Sequence, residues 1–429
     1  MLKKLSAIII IAVLAASFTA CGVTGGDSSA SSATSAVSDT GSSKASDASS
    51  KADDSEGDFE KVKATANVTS DGVIDATDMF TGRDLTQNYD ESAAKAVSLS
   101  SGSNVSITEA GVYVLTGTAT NVTVTVEVGD EDKVQLVLNG ANITNDSAPC
   151  IYVKNADKVF VTTVGDNSLS VTGSFTADGE TKTDAVIFSK DDLVLNGTGS
   201  LKLTSTENGI SCKDDLKITG GDLSIECASD ALEANDSIAI ADGNITISTD
   251  KDGLHAENDE DNSKGYIYIC GGKLTVTAGS DGIRATTVCQ IDGGEITATA
   301  SEGIEATYVQ INGGTIDISA SDDGINGTNK SSSYNVTVEI NGGDITINMG
   351  QGDTDGVDSN GNLYINGGTI SVNGQSPFDY DGVAEHNGGT IIVNGTQTDD
   401  ITNQFGGGMG GPGGGMGAPG GGMGGPGGF

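Results

Sequence analysis

Residues 281–314 read DGIRATTVCQIDGGEITATASEGIEATYVQINGG and contain one pattern twice. Each copy opens with an acidic residue, glycine and isoleucine, and reaches a glycine pair about ten residues later. The shortest spacings between openings are 21 and 22 residues. A repeat of this length indicates a solenoid of stacked units. Strict and looser copies open at Asp184, Asn208, Asp230, Asp252, Asp281, Glu302, Asp323, Asp355 and Asp381.

Apolar and polar residues alternate within each copy, as in a strand with one buried face. After the glycine pair, Ile296, Ala298 and Ala300 fall on one side, and Thr297 and Thr299 fall on the other. Two further short strands fit into each copy, one before the glycine pair and one after the acidic residue. We therefore predict an all-β fold, a parallel β-helix with three short strands in each coil of about 21–22 residues.

The corner between two of these strands carries the glycine pair, which suits a backbone with positive φ. Asparagines recur just before it, and stacked amides at such a corner can form a hydrogen-bonded ladder. The asparagines predicted to occupy this corner are Asn139, Asn196, Asn312, Asn341, Asn366 and Asn387.

The chain begins like a secreted lipoprotein. Residues 1–20 hold two lysines and an apolar run that is too short to span a bilayer but fits a signal peptide. The run ends in Phe18-Thr19-Ala20-Cys21, which resembles a bacterial lipobox and implies a lipid on Cys21. Residues 21–60 are rich in Ser, Ala and Asp and predict a disordered tether. We expect an extracellular bacterial protein, lipid-anchored at the outer face of the cytoplasmic membrane.

The rest of the chain divides where the pattern changes. Residues 61–183 predict an N-terminal β cap with irregular first coils, since terminal repeats are atypical. We expect residues 184–405 to form the regular β-helix and residues 406–429, rich in Gly, Met and Pro, to be a disordered tail.

Cysteine usage argues against a disulfide framework. Five cysteines remain after Cys21, and an odd number precludes a complete set of internal disulfides. Cys212, Cys227 and Cys289 fall on the inward phase of predicted strands, which predicts buried thiols.

Sixty acidic residues against 21 basic ones give a net charge of −39. This excludes a nucleic-acid binder whose affinity comes from neutralising phosphates. In the predicted coils the opening acids would stack in one row, where neighbours about 5 Å apart repel by roughly 3 kcal/mol at an effective dielectric near 20. Such acids can simply cap turns and face water. Seven in register, however, favour a bound divalent cation, and oxygen ligands without a His-Cys cluster favour Ca²⁺. The predicted ligands are Asp230, Asp250, Asp252, Asp281, Glu302, Asp322, Asp323, Asp355, Asp358 and Asp381.

Loops and tyrosines suggest where a ligand would lie. Insertions at residues 258–264 and 327–335 interrupt the same part of the repeat, and a third at 373–380 precedes the last acid. Loops on one flank of a solenoid usually wall its binding face. Outward tyrosines would form two columns on which sugar rings can stack, although β propensity alone also explains them. The predicted ligand-binding residues are Tyr266 with Tyr308, Tyr268 with Tyr364, and Glu305 and Arg284 beside the acid row.

Several segments together resemble a known family. They are Gly111-Val112-Tyr113, Val137-Leu138-Asn139-Gly140, residues 85–92 with Tyr89-Asp90-Glu91-Ser92, and the serial Asp-Gly-Ile and Asn-Gly-Gly steps. They are similar to secreted, calcium-dependent carbohydrate-binding proteins of cellulolytic anaerobic bacteria, over roughly residues 75–400. The resemblance implies a right-handed parallel β-helix similar to family 9 pectate lyases. It also implies bound calcium, and binding of cellulose or polygalacturonate without established catalysis.

Two other functions stay open. A calcium-dependent lyase acting on uronate polymers needs a base, and Lys251 is the nearest candidate. Asp250 and Asp252 flank it, and adjacent carboxylates would hold a proton on that amine and weaken it as a base. A structural spacer or adhesin would need no site at all. The absence of Trp favours an acidic polysaccharide such as pectin over crystalline cellulose. We expect a monomer with no nucleic-acid partner.

Overall fold

The computed structural model describes residues 72–352 and 354–402. The predicted signal peptide, Cys21, the tether and the tail lie outside these residues. All named elements of the described part are strands, and it contains no helix that is long and apolar enough to cross a membrane.

The strands, in chain order, are β1 (Ala94–Ser98), β2 (Val105–Ile107), β3 (Gly111–Thr120), β4 (Val124–Glu127), β5 (Lys133–Asn145), β6 (Ile151–Asn155), β7 (Lys158–Val164), β8 (Asp166–Val171), β9 (Ala185–Ser189), β10 (Asp192–Gly197), β11 (Ser200–Thr204), β12 (Asn208–Cys212), β13 (Asp215–Cys227), β14 (Leu232–Ala234), β15 (Ser237–Thr249), β16 (Leu254–Ala256), β17 (Tyr266–Ile269), β18 (Lys273–Ala278), β19 (Asp281–Ala285), β20 (Val288–Ile291), β21 (Glu295–Ala300), β22 (Glu302–Ala306), β23 (Tyr308–Ile311), β24 (Thr315–Ala320), β25 (Ile325–Gly327), β26 (Thr337–Ile340), β27 (Asp344–Met349), β28 (Asp355–Ser359), β29 (Asn362–Ile365), β30 (Thr369–Asn373), β31 (Ser376–Tyr380), β32 (Ala384–His386), β33 (Thr390–Val393) and β34 (Thr396–Thr398).

These strands form three parallel faces around one axis. The first face holds the strands that precede the glycine corner, such as β17, β20 and β23, and the second holds those that follow it, such as β18, β21 and β24. The long strands β13 and β15 run through the corner and belong to both faces. The third face is a separate sheet that contains β2, β4, β6, β9, β12, β14, β16, β19, β22, β25, β28 and β31. The predicted parallel β-helix with three strands per coil is confirmed.

Parallel stacking begins well before residue 184. β1 already pairs with β3, and β2 pairs with β4, so coils extend through most of the segment expected to hold a cap and irregular coils. Their sequence hides the repeat because β3 and β5 turn the corner at the single glycines Gly117 and Gly140 rather than at a glycine pair. At the other end, β34 pairs antiparallel with β33 and ends the parallel stack.

The core is built by residues that lie above one another in successive coils. Leu274, Ile296 and Ile316 occupy the same register position on the second face and are at most 2% exposed. Because every coil contributes the same inward positions, the core is one continuous column. Cys212, Cys227 and Cys289 are buried free thiols, as predicted. Burial raises the pKa of Cys289 to about 12, which keeps it an unreactive thiol.

The glycine corner has the expected geometry. Gly294 and Gly314, each the second of its pair, have φ of 100° and 93°. The amide ladder is confirmed in the C-terminal coils: Asn341 Nδ2 donates to Asn312 Oδ1 at 2.9 Å, Asn366 to Asn341 at 2.8 Å, and Asn387 to Asn366 at 2.9 Å. Asn196 does not extend it, because its Oδ1 accepts a hydrogen bond from Thr162 instead.

Residues 72–92, here called the strap, cross the outside of the first face. The strap runs against the order of the coils, because the amide of Val73 donates to Gln310 Oε1, whereas the carbonyl of Asn88 accepts from Gln135 Nε2. Between these ends, Met79 is buried against Ala239, Ala241 and Tyr268. The sequence repeat does not predict this segment, because the strap lies outside it. Its apolar residues in a polar stretch, Ile74, Met79, Phe80 and Leu85, are a signal in the sequence for a buried segment.

Truncating one buried side chain of the core should destabilise the whole solenoid. Ile304 is fully buried on the third face, so Ile304→Ala should lower the free energy of unfolding by about 2–5 kcal/mol through lost burial and a cavity. Denaturant unfolding followed by circular dichroism measures the change. Thr299→Ala, on the exposed side of β21, should change the same free energy by less than about 0.5 kcal/mol. Equal losses in the two variants would contradict the assigned inward phase.

Candidate functional site

The opening acids form a row along the edge of the third face. Asp281 and Glu302 are direct register partners. The backbone amide of Asp281 donates to Asp252 Oδ1 at 3.0 Å, and that of Asp252 donates to Asp230 Oδ1 at 3.2 Å. Further along, the amide of Asp355 donates to Asp323 Oδ1 at 3.2 Å. Each of these carboxylates therefore caps the amide that opens the next coil, a structural use that accounts for part of the row.

The remaining predicted acids lie off this row. Asp250 and Asp322 precede it and are exposed, whereas Asp358 lies on the outward side of β28. Asp381 does not belong to the row, because Ser376 is the register partner of Asp355. The prediction that residues 373–380 form an insertion is likewise wrong, since residues 376–380 are β31.

The core of the last coil explains why Asp381 lies outside the row. Phe378 is fully buried and takes the inward position that Val357 holds in the coil before. Strand β31 therefore ends at Tyr380, and Asp381 comes after the strand instead of opening it. Asp379 instead pairs with Asp358 on the outward side.

Three carboxylates come together in the middle of the row. Asp281, Glu302 and Glu305 each place one oxygen within 4.8 Å of the others. Asp281 and Glu305 are each 6% exposed. Burial, then the charges of Asp252, Glu302 and Glu305, raises the pKa of Asp281 to about 8. Burial, then Glu305, raises the pKa of Glu302 to about 7. We call these three residues the carboxylate cluster.

Similar crowding continues toward the C-terminus. Burial, followed by Asp322, raises the pKa of Asp323 to about 6 against the lowering effect of an amide hydrogen bond. Burial, followed by Asp323, raises the pKa of Asp358 to about 7. The excess of negative charge on this edge is thus only partly compensated.

Two cations partly neutralise the carboxylate cluster. Arg284 places Nη1 3.5 Å from Asp252 Oδ2 and Nε 3.5 Å from Glu305 Oε2. Lys330, from the loop of residues 327–335, places Nζ 2.9 Å from Glu305 Oε1. Arg284 and Glu305 were predicted to bind sugar directly. In the structure Arg284 and Glu305 form an ion pair with each other, and Glu305 is buried.

The cluster has the donor chemistry of a hard-cation site. All three acids offer oxygens, and Asn326 adds a neutral amide beside them, with Nδ2 donating to Glu302 Oε2 at 3.0 Å. Asn326 Oδ1 is buried and has no hydrogen-bond partner among the described residues. Carboxylate and amide oxygens are the ligands that Ca²⁺ takes in proteins, so these residues fit that ion.

His255 joins a second group of acids in the preceding coils. Its Nδ1 lies 3.1 Å from Asp230 Oδ2 and 3.7 Å from Asp252 Oδ2, and its Nε2 lies 3.0 Å from Glu257 Oε2. Burial lowers the pKa of His255, but the hydrogen bond and charge of Asp230 outweigh it, so the net shift is upward. An imidazolium here offsets part of the negative charge.

A further cluster of acids lies at another corner of the coils and was not predicted from the sequence. Asp214, Asp215 and Asp236 each bring one oxygen within 4.8 Å, at the corner between the third and first faces. Burial, then a hydrogen bond with Asp236, raises the pKa of Asp214 to about 7. The signal was present, because acids recur at this corner with the period of the repeat, in Asp191-Asp192, Asp214-Asp215 and Asp236.

A groove follows the outer surface of the third face. A cavity of about 760 Å³ lies between the outward side chains of β14 and β16 and the loop of residues 258–264. A second, of about 550 Å³, continues beside Phe188 and shares Lys213 and Glu233 with the first. The two predicted loops meet, since Ser331 Oγ donates to the carbonyl of Asn262 at 3.5 Å. The two cavities together are called the groove below. The groove's charged lining includes Lys182, Lys190, Lys213, Lys264, His255, Asp214, Glu233, Asp236, Glu257, Asp259, Glu260 and Asp261.

The tyrosine columns exist in register but lie on another face. Tyr266 is aligned with Tyr308, and Tyr268 with Tyr364, on the first face, with other residues between them. Tyr268 cannot serve as a sugar platform here, because the strap covers it completely and its hydroxyl donates to Asp292 Oδ2 at 2.9 Å. Tyr308 is half-buried and donates to Glu339 Oε2 at 2.7 Å. None of the four tyrosines lines the groove, and neither does Lys251, which is exposed.

The raised pKa of Asp281 predicts a loss of stability with rising pH in a metal-free buffer. Its folded-state pKa of about 8 lies above its unfolded value near 4, so the folded state holds the proton more tightly. The stabilisation is complete below about pH 4 and is lost as the pH rises through about 8. Melting temperatures from pH 5 to 9 in chelator should fall, and Asp281→Asn should flatten the decline. Asp317→Asn, at an exposed position of β24, should leave it unchanged. A decline of equal slope in Asp281→Asn would contradict the assignment.

Comparison with known proteins places the chain in a family. The model of the carbohydrate-binding domain-containing protein family matches residues 101–354 and 296–399. A carbohydrate-binding domain-containing protein of Acetivibrio thermocellus is 35% identical over 127 residues, which are 28% of this chain and 44% of the relative, so the match spans less than half of that relative's length. A solved structure, the gadolinium derivative of a polysaccharide lyase-like protein from C. thermocellum, has a TM-score of 0.42 and 26% identity, and the match covers 68% of this chain and 98% of that one. The chain belongs to the carbohydrate-binding domain-containing protein family.

Proposed function

We propose that the protein binds an acidic extracellular polysaccharide, such as polygalacturonate or pectin, in the groove on the third face, with Ca²⁺ bridging protein and sugar carboxylates. Cellulose is the second polymer to test. The observation that carries the proposal is the groove itself, two adjoining cavities lined by charged and hydrogen-bonding side chains from successive coils.

The charge of the groove argues for a bridging cation. Seven carboxylates line the larger cavity against two lysines and His255. A uronate polymer would be repelled by this lining unless divalent cations entered with it. Around Phe188 the balance reverses, because Lys182, Lys190 and Lys213 face two acids, Asp184 and Glu233. Sugar carboxylates would pair directly with these lysines.

The carboxylate cluster and Asn326 are the residues that would hold a calcium ion. The cluster does not line the groove but continues its outer row, since His255 of the groove is the register partner of Arg284, and Arg284 is that of Glu305. There the ion would supply a positive charge that pairs with protein oxygens and with the carboxylates of a polymer that extends beyond the groove. Arg284 and Lys330 leave part of the negative charge uncompensated, and the buried Asn326 Oδ1 is available as a further ligand.

Cellular placement is a further part of the proposal. The signal sequence and Cys21 support a lipid-anchored protein on the outer face of a bacterial cytoplasmic membrane. The solenoid, as a monomer, would then present the groove to polymers outside the cell.

Calcium should stabilise the chain through the carboxylate cluster. Extracellular calcium sites of this type bind with a Kd of about 10⁻⁴–10⁻³ M, so millimolar Ca²⁺ should raise the melting temperature at pH 7.5. Calorimetric titration should show that Asp281→Asn with Glu302→Gln weakens binding at least tenfold. Asp317→Asn is the matched control for the loss of one carboxylate. Unchanged calcium affinity in the double variant would remove the site from the cluster.

Polysaccharide retention should depend on calcium and on the groove lysines. Pull-down on polygalacturonate should retain the protein with Ca²⁺ and lose it in chelator. Lys213→Ala should weaken retention about tenfold, the equivalent of one charge-assisted hydrogen bond. Lys202→Ala, on the second face, should retain wild-type binding. Retention that survives chelator would contradict the calcium bridge, and failure on both polygalacturonate and cellulose would contradict the proposed ligand.

A further inference from the structure

Asp84, in the strap, is a fully buried carboxylate with an incomplete set of partners. Its Oδ2 accepts a hydrogen bond from the backbone amide of Thr81 at 2.9 Å. Its Oδ1 makes no hydrogen bond with any described residue, although Lys158 Nζ lies 3.5 Å away. Lys158 opens β7 in the first face and is itself nearly buried, with 12% of its side chain exposed.

Two more charged groups complete this site. Lys158 Nζ also lies 3.3 Å from Asp192 Oδ2 in the adjacent strand β10. Lys217 Nζ lies 3.9 Å from Asp84 Oδ2 and donates to the carbonyl of Met79 at 2.8 Å. Burial, against the lowering effect of Lys158, raises the pKa of Asp192.

An ion pair of this kind is costly. Removing both charges from water carries a desolvation penalty that only good geometry repays, and a buried acceptor without a hydrogen bond adds to that penalty. A buried polar atom left without a partner in a native fold calls for an explanation. Here the oxygen without a hydrogen bond, Asp84 Oδ1, is the one that lies 3.5 Å from the amine of Lys158.

We propose that Lys158 and Asp84 join in an intramolecular isopeptide bond that fixes the strap covalently to the first face. Lys158 Nζ forms a bond to Asp84 Cγ, and the bond from Cγ to Oδ1 breaks. The ammonium and the carboxylate together carry three protons on nitrogen. One stays on the amide nitrogen, and two leave with Oδ1 as one molecule of water. No oxidant, reductant or cofactor is required.

The surrounding groups have defined roles in this condensation. Burial lowers the pKa of Lys158, but Asp84 and Asp192 raise it further, so the amine must give up a proton before it can attack. Asp192 lies within reach to accept that proton and to return it to the departing Oδ1. The Thr81 amide and Lys217 lie on the Oδ2 side, where negative charge develops in the tetrahedral intermediate.

Confinement supplies the driving force. Two groups held in contact react with effective molarities of about 10⁵–10⁸ M, and exclusion of water from the site opposes hydrolysis of the product. The product replaces two buried charges and an unpartnered oxygen with one neutral amide. The bond would tie the strap to β7, with β1 to β6 enclosed between its ends.

Mass spectrometry of the full chain tests this proposal. The denatured protein should weigh about 18 Da less than the mass calculated from its sequence after processing at Cys21, a difference of one water. Trypsin should release a branched peptide joining residues 84–95 to residues 155–182, because a modified Lys158 is not cleaved. Dehydration at an Asp-Gly step also removes one water, but it produces no branched peptide.

Variants separate the bond from a plain ion pair. Lys158→Arg keeps the positive charge without the nucleophile and should restore the full mass, as should Asp84→Ala. Asp192→Asn should slow formation at least tenfold. Lys133→Arg, at an exposed ion pair with Asp157, should keep the mass loss. Circular dichroism on each variant checks folding. A wild-type chain of full mass, or a mass loss without the branched peptide, would overturn the proposal.

Discussion

Backbone hydrogen bonds between successive coils impose the constraint from which the other features follow. Parallel strands stack about 4.8 Å apart, so each residue lies directly above its equivalent in the next coil. A residue type that recurs at one position therefore becomes a continuous row. Isoleucines form the core column, second glycines form the corner, and asparagines form the amide ladder. Each of these three rows is favourable or neutral. The acid row is not, since like charges in a row repel.

The acid row is that exception, and the fold compensates it in several ways. Backbone amides of the following coil donate to Asp230, Asp252 and Asp323. Arg284 and Lys330 supply positive charge, and burial favours protonation of Asp281. These compensations are unequal along the solenoid, so a cation would gain most where they are weakest. Part of the net charge of −39 therefore lies where a cation or a positively charged group has a structural effect.

Features that repeat could be predicted, and features that occur once could not. The strands, the corner, the ladder and the positions of the row all follow from period and alternation, because the hydrogen-bonding constraint converts sequence spacing into spatial register. The prediction that Asp381 belongs to the row was wrong because Phe378 takes the inward position in the last strand. This packing occurs in one coil only. Tyr268 could not be recognised as buried because the strap covers it, and the strap belongs to no repeat. Lys330 and Asn326, which contact the carboxylate cluster, come from a loop and from one coil, so periodicity gave no reason to select them.

The direction of the strap has a mechanical consequence. The chain enters the described fold beside the coil of Gln310, partway along the solenoid, and then runs back toward the first coils. A pull on the preceding chain along the axis, away from the first coils, would load the strap contacts in shear and share the force among them. A pull perpendicular to the face would peel the same contacts one at a time, beginning with the hydrogen bonds to Gln310 and Gln290. The resistance of the protein to force therefore depends on the direction from which it is held.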